Sequence, residues 1–168
     1  MHLLVIRHAD AGDAADFARS GRPDDERPLS DEGRRKMKQV ARGLCVVVPE
    51  IAALAASPLV RARQTAEIVA AAYDGITVET VSALRPGEAP AGLAQWLERH
   101  GAAGVAAVVG HEPHLGTTVG WLVSGETHSV LELKKGAACL LSCDTAWGPG
   151  KAVLRWALTP GQLRALGD

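Results

Sequence analysis

The most constraining feature of this sequence is the run GVAAVVG at residues 104–110, which contains no polar side chain. A continuous apolar run of this length is typical of a strand covered on both faces, as in a parallel sheet with helices on each side. Apolar runs at residues 3–6 and 51–57 predict two further short strands. Such strands require helices to cover them, so the segments between them are expected to be helical.

Two of these intervening segments have clear helical patterns. Residues 29–44 have Ser30 in the position of an N-cap and apolar side chains at helical spacing afterwards. Residues 57–73 are also predicted to be helical, with Ser57 as the N-cap and Pro58 in the first turn.

The remaining elements follow the same alternation. Further helices are predicted over 90–100, from Pro113 onwards and over 159–168, and further strands over 76–80, 128–136, 137–144 and 151–158. The last strands are joined by Gly-containing turns and are expected to form an antiparallel edge. We therefore predict an α/β fold, a three-layer α/β/α sandwich with a mostly parallel sheet and an antiparallel edge strand, with residues 1–168 as a single domain.

Charge and composition exclude several classes of protein. Lys and Arg number 18 and Asp and Glu 19, a formal net charge of −1, which argues against general affinity for nucleic acid or anionic membranes. No apolar run approaches the roughly 20 residues of a membrane span, and the N-terminus has no signal-like pattern. The three cysteines lack metal-type spacing and suggest reduced thiols in the cytoplasm.

Charged and imidazole side chains follow three of the predicted strands. Arg7 and His8 end the first strand, Arg61 lies one helical turn beyond the second, and His111 follows the run 104–110. Because ligands of open α/β sheets bind beyond the carboxyl ends of the strands, we expect these four side chains to meet. Arg63, two residues further along the same helix, is expected to be a solvated charge.

These residue types suit phosphoryl transfer. Paired arginines bind phosphate through fixed forks of donors, and helix N-termini also favour an anion. A neutral imidazole is a competent nucleophile toward phosphorus, and the neighbouring guanidinium groups should lower the pKa of His8. His8 is therefore the predicted nucleophile, and His111 would stabilise the transferring phosphoryl group from another side.

Three motifs in this order, RHAD at 7–10, SPLVRARQT at 57–65 and GHEPHL at 110–115, resemble the histidine phosphatase superfamily, also called phosphoglycerate-mutase-like. The short chain is most similar to its SixA-type phosphohistidine phosphatase branch, and RPLSDEG at 27–33 resembles the segment before the family's first helix. The resemblance implies His8 as the phosphorylated nucleophile, Arg7 and Arg61 as phosphate ligands and His111 as the second histidine. We expect no cofactor and no metal.

Two departures from the family pattern affect the interpretation. Ala9 stands where the family usually has Gly, which we interpret as a mark of the SixA-like branch. Residues 62–110 contain no long insertion that would cover the pocket and supply an acid, so the proton donor stays open among Glu88, Asp10 and Glu112. Glu88 is favoured because it lies in a loop after the third strand.

An uncovered pocket admits a side chain of another protein, and an imidazole leaving group needs little acid assistance. Both points favour phosphohistidine on a protein, such as a histidine-containing phosphorelay protein, as the substrate. A phosphatase of a small phosphate ester is the main alternative. A mutase is disfavoured because it must shield its phosphoenzyme from water.

The sequence also suggests two functions of other classes. The first is a metal site, since ligand-type side chains cluster in the sequence at His8, Asp10, His111, Glu112 and His114; the adjacent Arg7 and Arg61 argue against it. The second is a phosphate-binding module without catalysis, which the intact nucleophile disfavours. His114 is expected to be exposed, and residues 13–28 are expected to be a solvated loop.

Overall fold

Six strands form one sheet, namely β1 (His2–Arg7), β2 (Ala53–Ala56), β3 (Val78–Thr80), β4 (Val105–Gly110), β5 (Ala138–Ser142) and β6 (Val153–Leu158). The computed structural model describes residues 1–100 and 104–167 and orders the strands β3-β2-β4-β1-β5-β6. Strands β1 to β4 are parallel, whereas β5 runs antiparallel to both β1 and β6. The predicted α/β fold, with a mostly parallel sheet and antiparallel pairing at one edge, is confirmed.

Helices cover both faces of this sheet. They are α1 (Ala14–Ala18), α2 (Asp31–Val47), α3 (Val60–Ala72), α4 (Pro90–His100), α5 (His114–Ser124) and α6 (Pro160–Leu166). Buried side chains of α2, α3 and α6 form one core with the sheet, and those of α4 and α5 form a second core on the opposite face. The layers therefore match the predicted sandwich.

Strand β1 shows why its sequence is apolar at every position. Leu3 and Val5 belong to the core under α4 and α5, whereas Leu4 and Ile6 belong to the core under α2, α3 and α6. Successive side chains of a strand point to opposite faces of the sheet. When helices cover both faces, every side chain of the strand is buried and all of them can be apolar. Each of these buried side chains contributes on the order of 1.5–3 kcal/mol to stability.

The start of α2 follows the prediction, but the start of α3 does not. The Ser30 hydroxyl accepts a hydrogen bond from the Gly33 N–H at 3.0 Å and caps α2. Ser57 was predicted to cap α3 and does not, because that helix begins only at Val60 and its N-cap is Leu59, without a side-chain cap. The Ser57 hydroxyl instead bonds His111, a residue that local sequence patterns could not connect with it.

The predicted strand over 128–136 is also wrong. This segment is irregular, and the backbone groups of Leu133 bond side chains instead of a neighbouring strand. The Leu133 N–H donates to Glu112 Oε1 at 3.0 Å, and the Leu133 carbonyl accepts from Arg7 Nη1 at 2.6 Å. These contacts hold the connection between α5 and β5 against the carboxyl end of β1.

Close packing of α2 against the loop after β1 positions that loop. A Cβ added at Gly33 would lie 2.1 Å from the Asp10 carbonyl oxygen, so only glycine permits this approach. We expect Gly33→Ala to lower the free energy of unfolding by roughly 1–3 kcal/mol, because the helix or the loop must shift. Urea unfolding followed by circular dichroism measures the change.

Gly161→Ala in the first turn of α6 provides the matched control. The nearest atom to its added Cβ lies at 3.9 Å, an ordinary contact, and the substitution should be neutral or stabilise by less than about 1 kcal/mol. Equal stability of the Gly33→Ala and Gly161→Ala proteins would show that the contact with Asp10 is not tight in solution.

Candidate active site

A cleft of about 540 Å³ lies at the carboxyl ends of β1 and β4, beside the first turn of α3. All of the polar side chains that line it carry charge or an imidazole ring: Arg7, His8, Asp13, Asp24, Arg27, Arg61, His111, Glu112 and Lys135. The four side chains that were expected to meet, Arg7, His8, Arg61 and His111, all line it. The rule that places ligand sites beyond the carboxyl ends of parallel strands explains this convergence.

His8 immediately follows β1, and its ring orientation is set by its neighbour. Nδ1 lies 2.7 Å from the Ala9 carbonyl oxygen, and a carbonyl can only accept a hydrogen bond. Nδ1 therefore carries the ring proton of neutral His8, and the lone pair lies on Nε2. Within the part of the chain that the structure describes, Nε2 has no hydrogen-bond partner, so it is available as a nucleophile.

The protonation state of His8 also suits attack on phosphorus. The pKa of His8 is lowered from 6.5 to about 4, mainly by burial and further by the charges of Arg61, Arg7 and Arg27, while the hydrogen bond to the Ala9 carbonyl opposes the shift. The predicted direction is confirmed, but burial contributes more than the arginines do. His8 is consequently neutral at pH 7.

A prediction on stability follows from this shift. Between pH 6.5 and pH 4 the unfolded chain binds a proton at His8 that the folded protein does not. Stability therefore decreases as pH falls through this window and is constant for this group above it. We expect His8 alone to lower the free energy of unfolding by on the order of 2 kcal/mol between pH 7.5 and pH 5, measured by urea unfolding.

The comparison protein for this measurement is His8→Asn, which keeps a polar side chain but cannot titrate. Its loss of stability on acidification should be smaller than that of the wild type by the contribution of His8. If the two proteins lost equal stability between pH 7.5 and pH 5, the pKa of His8 would be close to its ordinary value.

His111 lies against His8 at the end of β4. The ring centroids of the two histidines are 5.1 Å apart, and the planes are tilted by 54°. Nε2 of His111 lies 2.8 Å from the Ser57 hydroxyl, and burial, followed by the charge of His8, lowers its pKa to about 2. When the Ser57 hydroxyl donates to Nε2, the proton of neutral His111 lies on Nδ1, which is buried without a partner among the described residues.

The two predicted arginines are held by backbone oxygens and each retains an unused donor. Arg7 Nη1 donates to the Leu133 carbonyl, and Arg61 Nη1 donates to the Asp24 carbonyl at 2.9 Å. Arg61 is 6% exposed, whereas Arg63 is exposed, as expected. The Nε atoms of Arg7 and Arg61 are buried and find no acceptor in residues 1–100 or 104–167. An unsatisfied buried donor is costly, and a bound oxyanion would remove that cost.

Sequence reasoning missed Arg27, the third arginine of the cleft. Its Nε forms an ion pair with Asp24 Oδ1 at 2.7 Å, and its Nη1 donates to the Ala11 and Gly12 carbonyls. Asp24 also pairs with Arg61 Nη1 at 3.1 Å, so one carboxylate links two arginines. The stretch 13–28 is thus only partly the solvated loop that was expected. The one signal available was the position of Arg27 at the start of RPLSDEG.

The three candidate acids differ in their surroundings. Asp10 is bonded by Lys135 and Ser30, and the hydrogen bond from Lys135 is the main cause that lowers its pKa to about 2, so it remains anionic. Both carboxylate oxygens of Glu112 accept backbone N–H groups, from Gly116 and Leu133. Glu88 is exposed and is not among the residues that line the cleft. Its role as proton donor stays a prediction.

His114 was expected to be exposed and is buried, at 5% exposure. It lies in the first turn of α5, where burial lowers its pKa and the nearby Glu88 opposes the shift. It does not line the cleft.

As for the metal alternative, no group of three or more ligand-type side chains able to hold a metal ion occurs among the described residues.

Fold and site together define a protein whose parallel sheet presents arginines and histidines at its carboxyl edge. The chain belongs to the histidine phosphatase superfamily (branch 1), whose family model matches residues 3–89. This match includes His8 and Arg61. Membership, together with the structural neighbours below, supports phosphatase activity.

Three proteins are similar to this chain in sequence or in fold. An uncharacterized protein from Picosynechococcus is 39% identical over 137 residues, which cover 80% of this chain and 81% of that protein. The protein histidine phosphatase SixA, solved with tungstate, has a TM-score of 0.79 and 25% identity and covers 97% of this chain and 99% of its own. A phosphoserine phosphatase from Entamoeba histolytica, solved with phosphoserine, has a TM-score of 0.70 and 13% identity over 96% and 98% of the two chains.

The structural match to SixA at 25% identity confirms the predicted SixA-type branch. The likeness to the phosphoserine phosphatase, at 13% identity, shows a shared fold only. Among the helices of the described residues, none is long and apolar enough to cross a membrane.

Proposed function

We propose that this protein is a phosphohistidine phosphatase, which removes the phosphoryl group from a histidine of another protein through a covalent intermediate on His8. One observation carries the proposal. Arg7 Nε, Arg61 Nε and His111 Nδ1 are buried polar atoms of the same cleft, and none has a partner among the described residues. A tetrahedral oxyanion supplies acceptors for these donors beside the free Nε2 of His8. The SixA structure similar to this chain was solved with tungstate, which is such an oxyanion.

The reaction takes place in two steps. Nε2 of His8 attacks phosphorus, forming an N–P bond as the bond between phosphorus and the substrate imidazole breaks. The departing imidazole takes a proton from solvent or from an acid such as Glu88. Water then attacks the phosphoryl group on His8, the new N–P bond breaks, and inorganic phosphate leaves. Arg7, Arg61 and His111 donate to the phosphoryl oxygens throughout.

The open surroundings of the cleft support a protein substrate. Within the described part of the segment between α3 and β4, Pro86 is the one residue that lines the cleft. From this segment, a phosphohistidine side chain projecting from a partner protein, such as a histidine-containing phosphorelay protein, would therefore meet only Pro86, whereas Asp24 and Arg27 line the cleft from the stretch 13–28. Imidazole is a better leaving group than an alkoxide, so its departure requires less proton donation. This agrees with the position of Glu88, the favoured candidate acid, which does not line the cleft. The three unpaired cysteines agree with a cytoplasmic protein.

The decisive experiment uses a histidine-phosphorylated protein that carries a labelled phosphoryl group. The protein is mixed with the enzyme and quenched within seconds, and free phosphate and label on the enzyme are both followed. Rapid phosphate release with transient, acid-labile label on the enzyme would support the proposal. Failure to release phosphate from this substrate, combined with hydrolysis of an aryl phosphate, would favour a small phosphate ester as the substrate.

A further inference from the structure

A second cavity, of about 450 Å³, lies between α2 and α6 and adjoins the cleft. We call it the basic groove, and its charged lining consists of Arg7, Lys36, Lys134, Lys135, Arg164 and Asp10. Arg7 and Lys135 line both the basic groove and the cleft. The groove is therefore continuous with the candidate active site and leads away from His8 toward the protein surface.

Positive charge dominates this groove. It has five cationic side chains and one carboxylate, Asp10, which is already paired with Lys135 at 2.7 Å. Lys36 pairs with Glu32 on its own helix, but Lys134 and Arg164 form no ion pair within the described residues. The whole chain carries a formal charge of −1, so the cations of the groove are a local concentration of positive charge. Such a concentration favours an anionic partner.

The floor of the groove is apolar, which distinguishes its ligand from a simple ion. The half-buried Pro160 of α6 lines it, and the core residues Met37 and Val40 of α2, each 1% exposed, lie at its base. Inorganic phosphate would leave this floor unused, whereas a polypeptide can cover it with apolar side chains and place acidic ones at the rim. Nothing in the two-step reaction at His8 requires Lys134, Arg164 or this floor.

We infer that the basic groove binds an acidic segment of the substrate protein, next to its phosphohistidine. This inference rests on the proposed function, because it assumes a protein as the substrate. The phosphoryl group would lie in the cleft on Arg7 and Arg61, while the flanking acidic residues contact Lys134 and Arg164. The groove would thereby select among phosphorylated proteins by charge, without taking part in phosphoryl transfer.

Two phosphohistidine peptides test the selection. One has glutamates on both sides of the phosphohistidine, and the other has glutamines at the same positions. At low salt we expect the wild-type enzyme to hydrolyse the glutamate peptide with a kcat/KM about fivefold to tenfold higher. The double variant Lys134→Glu, Arg164→Glu should lose this preference, while its hydrolysis of an aryl phosphate is unchanged.

Lys38→Glu is the matched control, because Lys38 is an exposed lysine of α2 that lies outside the groove. It replaces one cation by an anion, whereas the double variant replaces two, and it should retain the preference. Equal hydrolysis of the two peptides by the wild-type enzyme, or an unchanged preference in the double variant, would overturn the inference.

Binding of the unphosphorylated glutamate peptide separates this inference from the proposed function. We expect fluorescence anisotropy to detect binding to the wild type and at least fivefold weaker binding to the double variant. If neither phosphopeptide is hydrolysed but this binding pattern holds, the groove is supported and the proposed substrate is wrong. If the acidic peptide binds both proteins equally or neither of them, the groove does not have the role inferred here.

Discussion

His8→Ala is expected to lose at least about 10³-fold in kcat, because it removes the atom that would accept the phosphoryl group. The remaining arginines would still bind phosphate, so inhibition by inorganic phosphate should persist. Steady-state hydrolysis of an aryl phosphate measures the loss, and intact mass spectrometry after an acid-free quench reports the phosphoenzyme. The variant should show no phosphoenzyme at any time.

His114→Ala is the appropriate control for this variant. His114 is as buried as His8, at 5% exposure, and lies near the same edge of the sheet, but it does not line the cleft. Truncating it creates a comparable cavity and should change kcat by less than about fivefold, because His114 is not among the residues that line the cleft. Turnover by His8→Ala at the wild-type rate would rule out the covalent mechanism.

Arg61→Ala is expected to weaken both ground-state binding and the chemical step. The guanidinium has a buried Nε without a partner in the described chain and lies within the same cleft as His8. Removing a donor that stabilises developing charge costs roughly 10²–10³-fold in rate. We expect kcat/KM to fall by about that factor and inhibition by inorganic phosphate to weaken in parallel.

Two further variants distinguish the contribution of the paired N–H donors of Arg61 from that of its positive charge. Arg61→Lys keeps a cation but not the planar pair of donors, and its activity should lie between those of Arg61→Ala and the wild type. Arg63→Ala removes an exposed arginine two residues along the same helix and should have almost no effect. Equal losses in Arg61→Ala and Arg63→Ala would mean that Arg61 contributes only general positive charge.

Arg61 forms an ion pair with Asp24 in this structure. Its Nη1 pairs with Asp24, which also pairs with Arg27. The carboxylate lines the cleft and bonds to the arginines through which a phosphoryl group would be bound. A phosphoryl group bound to Arg61 would therefore lie beside the Asp24 carboxylate, and the repulsion between the two anions would weaken its binding.

Much of the fold could be predicted from local patterns. The apolar runs that became β1, β2 and β4 are recognisable because both faces of a central parallel strand are buried, so that no position along it is polar. The four site residues Arg7, His8, Arg61 and His111 could be brought together in advance for a related reason. Parallel strands end at the same edge of a sheet, and polar residues that follow them become neighbours.

Other features depended on contacts between distant parts of the chain. Serine is a residue type preferred at N-caps, but the hydroxyl of Ser57 forms its hydrogen bond with His111, which lies 54 residues away. Residues 128–136 have a strand-like sequence, yet Arg7 and Glu112 occupy the backbone groups of Leu133 that a neighbouring strand would need. Local propensity cannot anticipate such competition, because it arises only after the sheet has formed.

The sequence by itself determined the class of fold, the edge of the sheet that carries the site and the residues that meet there. These follow from hydrophobic periodicity and from the direction of parallel strands, which are properties of short segments. Only the tertiary structure decided the tautomer of His8, the burial of His114, the inclusion of Arg27 and Asp24, and the position of the basic groove. Each of these depends on which side chains from separate elements share a volume, and that is set by the packing of the whole chain.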